Sequence, residues 1–103
     1  MPRPPKRRRC RAYRGDRVFK PRSIPMSELE IVSLELSELE AMRLCDHEGL
    51  DQTAAGERMG VSRGTVQRLL GSARAKVLDA ILHDRALRIE QGASHEDLYS
   101  QPG

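Results

Sequence analysis

The sequence predicts a mainly α chain. It reads as a trihelical domain with a disordered basic N-terminal arm and a small β ribbon beside the helices. Three observations carry that expectation. Apolar residues recur in three- and four-residue steps from Val66 to Ile81. Start and stop signals bracket three helical stretches, at about 38–48, 52–59 and 63–83. Charge is segregated along the 103 residues, although the net charge is only +3.

The segregation divides the chain into an arm (1–23), a folded domain (24–92) and a variable tail (93–103). Residues 1–23 hold ten basic residues against Asp16 alone, and Pro and Arg leave that stretch little to bury. Residues 24–51 hold eight carboxylates against Arg43, whereas residues 52–92 hold seven basic residues against four acids. A basic arm followed by an acidic and then a basic segment points to a polyanionic partner. Lys6, Arg7, Arg8, Arg9 and Arg11 are the expected phosphate contacts of the arm.

Helix 38–48 opens on Ser37-Glu38-Leu39-Glu40, which reads as a capping box, and stops at Gly49. Its apolar side is Leu36, Leu39, Ala41, Met42 and Leu44. Helix 52–59 ends at Gly60. Helix 63–83 starts behind Ser62, a favourable N-cap, and directs Val66, Leu69, Leu70, Ala73, Val77, Ala80 and Ile81 inward. Its other face carries Gly64, Gln67, Arg68, Gly71, Ser72 and Ala75, with Arg74 at the edge. Before and after the helices, residues 30–34 and 86–90 have strand character and are expected to pair as the ribbon, giving a winged-helix-like outline. Ser27 to Glu30 can cap a single turn.

Two short helices joined by a Gly turn, the second presenting Arg and Gln outward, form a helix-turn-helix. Ala55 and Gly56 are small where the helices cross, Gly60 can take a positive φ, and Val61 plugs the core beneath the turn. The expected DNA contacts are Gln52, Thr53, Ser62, Arg63, Gly64, Thr65, Gln67, Arg68 and Arg74, with Lys76 further along. Arg can bridge guanine O6 and N7, and Gln adenine N6 and N7. The start of helix 52–59 suits phosphate. Gly64 and Gly71 leave room for close approach.

Other chemistries find little support. A chain this small with three aromatic residues can enclose only a thin core and no large pocket. No nucleophile elbow or Gly-rich phosphate loop is present, so no enzyme activity and no cofactor are expected. Cys45 and His47 do not share a helix face and lack metal-ligand spacing; they read as a partly buried thiol and a surface imidazole, with no metal expected. No run approaches the roughly 20 apolar residues of a membrane span, and no signal peptide is evident. A cytoplasmic, nucleoid-associated location follows.

The stretch SELEAMRLCDHEGLDQTAAGERMGVSRGTVQRLLGSARAKV resembles region 4 of sigma factors, the part that reads promoter DNA. With MPRPPKRRR, RVFKP and RALRIEQG, residues 1–92 resemble a small prokaryotic family, domain of unknown function number 134, to which DNA binding is ascribed. The resemblance implies a trihelical DNA-binding fold and supplies no target; the chain is shorter than members with further C-terminal domains. One departure is Gly56, where such motifs more often hold Ala, and it is expected to loosen its helix.

The leading reading is sequence-specific double-stranded DNA binding in transcriptional regulation, through the helix that starts at Arg63. The alternative is an adaptor that docks RNA polymerase or another transcription protein, and a basic RNA-binding protein comes third. A dimer on a two-fold DNA site is also expected, through the far end of the long helix or residues 86–90.

Overall fold

A computed structural model describes residues 17–90. Strand β1 (Arg17–Phe19) is followed by a 3-10 turn at Met26–Glu28, strand β2 (Ile31–Leu34) and helix α1 (Leu36–Met42). A π-helical turn, Arg43–His47, extends α1; then come α2 (Gln52–Met59), α3 (Arg63–Leu82) and strand β3 (Ala86–Ile89). The chain is mainly helical as expected, and the arrangement of α2 and α3 is consistent with a helix-turn-helix.

The ribbon forms and is larger than expected. β3 is the central strand of three, parallel to β2 with Ile31 opposite Ala86 and Leu34 opposite Ile89. β1 pairs antiparallel on its other side, with Arg17 opposite Ile89 and Phe19 opposite Leu87. Residues 17–19 therefore belong to the sheet rather than to the arm. Three residues between Arg- and Pro-rich neighbours give no periodicity to read, and their strand partner is the distant edge of β3. Residues 1–16 and 91–103, with the five arm cations expected to contact phosphate, lie outside the described residues.

The capping box exists but sits two residues earlier than Ser37. Glu35 is the N-cap, and its N–H donates to Glu38 Oε1 at 2.9 Å. The chain leaves β2 at Leu34 and enters the helix at Leu36, so Ser37 is already inside the first turn and buried. Glu38 and Glu40 are buried too. Each is compensated. Glu40 takes two bonds from Arg43, at 2.7 and 3.1 Å. Glu38 accepts from Ser72 of α3 and from Lys76 Nζ at 2.8 Å.

Two apolar clusters fill the interior. Ala41, Leu44, Ala55, Met59, Val66 and Leu69 join the three helices. Leu34, Ala73 and Ile89, with Leu36, Leu39 and Met42 against them, fasten α1 and α3 to the sheet. Ile81, expected inward, is 65% exposed, whereas Ala80 beside it in the last turn is buried as expected.

The turn between α2 and α3 takes the form its glycines allow. Gly60 has φ +75°, and Val61 N–H donates to the Gly56 carbonyl at 2.9 Å. Gly56 has a role in the turn that its departure from the motif did not suggest. A Cβ there would lie 2.6 Å from the Val61 carbonyl oxygen, so only glycine lets the turn fold back onto the helix.

Two expected outcomes follow from this packing. Gly56→Ala should destabilise the fold by about 1–3 kcal/mol, the range for forced overpacking, as read from urea unfolding. The second concerns acid. Burial pushes the Glu38 carboxyl up, but the bonds from Lys76, Ser72 and the Glu35 N–H outweigh it and hold it below its ordinary value. A depressed carboxylate stabilises the fold above its unfolded value, and that stability disappears as pH falls through the lowered one. Unfolding followed by circular dichroism across that acidic range should show the loss in the parent and lack this component in Glu38→Gln.

Candidate functional site

The first turn of α3 is a well-made helix start on an open surface. Ser62 Oγ accepts from Thr65 N–H at 3.1 Å and donates to Thr65 Oγ1 at 3.0 Å. This satisfies an orphan N–H and leaves Ser62 exposed at the tip. Thr65 is half-buried and its hydroxyl is engaged with Ser62, so it shapes the tip more than it projects from it. Val66 and Leu69 anchor the turn from below.

Arg63, Gly64, Gln67 and Arg68 are all exposed around this turn, and Gly71 continues the face one turn on. Helical spacing places Gly64, Gln67 or Arg68, and Gly71 along one line. A Cβ on Gly71 would meet nothing within 4 Å, and one on Gly64 only Ser62 Oγ at 3.9 Å. Neither glycine is needed to fold the chain. Each is nonetheless placed in a helix, where glycine costs roughly 0.5–1 kcal/mol relative to alanine.

The start of α2 lies beside that tip. Gln52 Oε1 accepts from Arg63 Nη1 at 2.9 Å, joining the first residues of the two helices. Thr53 is exposed next to Gln52. The N-terminus of α2 has a cap that the sequence reading did not single out, because Asp51 Oδ1 accepts from Ala54 N–H at 2.8 Å. Its carboxylate already occupies part of the positive end of the helix. Any phosphate contact there would rest on the side chains and first N–H groups of Gln52 and Thr53.

The remaining basic residues of α3 behave differently from the tip. Arg74 is exposed, but it holds Asp46 of the π-helical turn through bonds of 2.6 and 3.0 Å. The bond from Arg74 keeps the Asp46 carboxyl below its ordinary range. Lys76, expected on DNA backbone, turns inward to Glu38, and Ser72, expected on the outer face, does the same. These partners are 28 to 38 residues away in the chain, and no local pattern could have revealed them.

Elsewhere the chemistry is sparse. Cys45 is half-buried, and burial pushes its thiol up; His47 is exposed. Among the described residues no three His, Cys, Asp or Glu side chains converge as a metal site requires, and no helix is long and apolar enough to cross a membrane.

Residues 1–97 match the family described as "Protein of unknown function DUF134". The chain belongs to that family. Among its relatives is a UPF0251 protein of Moorella thermoacetica, 52% identical over 95 residues, which cover 92% of this chain and 64% of the relative. The UPF0251 protein of Pelotomaculum thermopropionicum is 51% identical over 92 residues, 89% of this chain and 70% of its own length. That of Desulforudis audaxviator is 50% identical over 92 residues, 89% of this chain and 60% of its own. The chain thus spans 60–70% of the length of these family members. No solved structure matches it.

The open face makes a stability prediction that does not depend on any ligand. Gly64→Ala and Gly71→Ala should each stabilise the fold, by about 0.5–1 kcal/mol, since helix propensity improves and nothing is displaced. Denaturant midpoints at unchanged slope check this.

Proposed function

We propose that the protein binds double-stranded DNA in a sequence-dependent manner and regulates transcription, with the first turns of α3 in the major groove. One observation carries the reading: Gly64 and Gly71 lie on an exposed line with Gln67 and Arg68, and packing requires neither. A helix surface kept flat between long polar side chains suits a groove wall approached closely. In that position Arg63 and Arg68 would read guanine and Gln67 adenine through paired hydrogen bonds. Gln52 and Thr53 would touch the flanking phosphate, and Ser62 the backbone beside the tip. The arm cations Lys6, Arg7, Arg8, Arg9 and Arg11 would add affinity that does not depend on sequence. Arg74, neutralised by Asp46, would add little. A nucleoid location in the cytoplasm follows from the same reading.

The test is selection of bound sequences from random double-stranded DNA. A shared motif is expected. Arg63→Ala and Arg68→Ala should each cost about 1–3 kcal/mol of binding and relax preference at one base pair. Gly71→Leu should fold at least as well as the parent and lose specific binding, because its side chain blocks the groove contact. Binding unchanged in all three variants would remove α3 from the interface. Deleting residues 2–11 should weaken binding to every sequence and reduce its salt dependence.

A further inference from the structure

At the opposite end of α3 from the Arg63 tip, the molecule exposes large apolar side chains. Leu78, Ile81 and Leu82 are 54%, 65% and 69% exposed, and Phe19 of β1 is 57% exposed. Their helical spacing puts the three α3 residues on one ridge. Beside the ridge is a groove floored by Val77 and Ala80 of α3 and Leu87 of β3, with Phe19 and Ile81 also lining it. Leu78 and Leu82 stand outside the groove on the same face. Contiguous apolar exposure of this kind in a small domain marks a protein contact.

The charges at the groove bear on what could cover it. Lys20 and Asp84 both line it. Lys20 Nζ donates only to the carbonyls of Pro21 and Ile24, at 3.0 and 2.6 Å. Among the described residues Lys20 meets no carboxylate and Asp84 no cation, although Asp79, Arg85 and Glu30 close by are paired with one another. One groove thus carries two opposite charges that form no ion pair among the described residues. A two-fold interface is self-complementary, each surface meeting itself. It would set Lys20 of one copy against Asp84 of the other, twice, while the leucine ridge of each copy fills the groove of its mate.

We propose that this face, built from the last turns of α3, β1 and the turn at Asp84, is a docking surface for a second copy of the chain. α3 is about 30 Å long at 1.5 Å per residue over its 20 residues, so the contact keeps both Arg63 ends away from the two-fold axis. The dimer stands without the DNA reading and is measured in the absence of DNA, so failure of either leaves the other intact.

The experiment is sedimentation of the full chain over a dilution series. A reversible dimer is expected, and Ile81→Asp, an exposed position, should give a monomer with parent-like circular dichroism. Lys20→Glu places two carboxylates together across the axis, and Asp84→Lys two cations; each variant should dissociate when alone. Mixed, the two variants restore both opposite-charge pairs and should form a heterodimer. A parent that remains monomeric throughout overturns the proposal. So does a dimer that survives Ile81→Asp, or a mixture of the two folded charge variants that fails to associate.

Discussion

The Glu38 carboxylate holds the arrangement together. It closes the start of α1 through the Glu35 N–H and reaches α3 through Ser72 and Lys76. A charge placed in the interior is tolerated only when hydrogen bonds and an opposite charge replace the water it has lost, and Glu38 receives both. One group therefore sets the end of β2, the beginning of α1 and the rotation of α3 about its own axis. That rotation decides which α3 side chains face outward. Ser72 and Lys76 turn in, and the line from Gly64 to Gly71 turns out. The clean polar tip of α3 is a consequence of where its other polar residues are engaged.

Charge segregation in the chain looks different once folded. Much of the acidic stretch from Glu30 to Asp51 is spent within the fold on Lys76, Arg43, Arg74 and Arg85, with Asp51 capping α2. The basic excess of residues 52–92 is correspondingly reduced, and Arg63 and Arg68 are the α3 cations that stay clear of any carboxylate among the described residues. Alternating acidic and basic segments reflect a fold that neutralises itself along one side of α3. On the proposed reading, the field that attracts a polyanion is concentrated at the helix start and in the sequence of the arm.

What the sequence made legible was what short-range chemistry decides. α2, α3 and the Gly60 turn follow from caps, glycines and three- and four-residue spacing, and all are where those signals place them. The pairing of β2 with β3 could be read because both segments carry their own strand character. The packing role of Gly56 could not be read, since it comes from a carbonyl five residues on that only the folded turn brings near. β1 was hidden for a related reason: its partner is some seventy residues away in the chain and its own three residues say almost nothing. The buried acids escaped because polarity normally predicts exposure, and the partners of Glu38 lie on another helix. At the site, Gln52 and Arg63 could each be named, but not the bond that joins them.

β2 and β3 are parallel neighbours, and the chain between them contains α1, α2 and α3, all the α-helices among the described residues. The trihelical unit is thus one long crossover connection, closed at its base when Ala86 N–H finds the Glu30 carbonyl. Closing so large a loop before its contents are compact carries a heavy entropic cost. Contacts among neighbouring helices are local and can form first, which brings residues 30 and 86 together before any strand hydrogen bond exists. By the same argument the sheet is expected to assemble after the helices, with β1, whose strand partner is β3, pairing once β3 is in place.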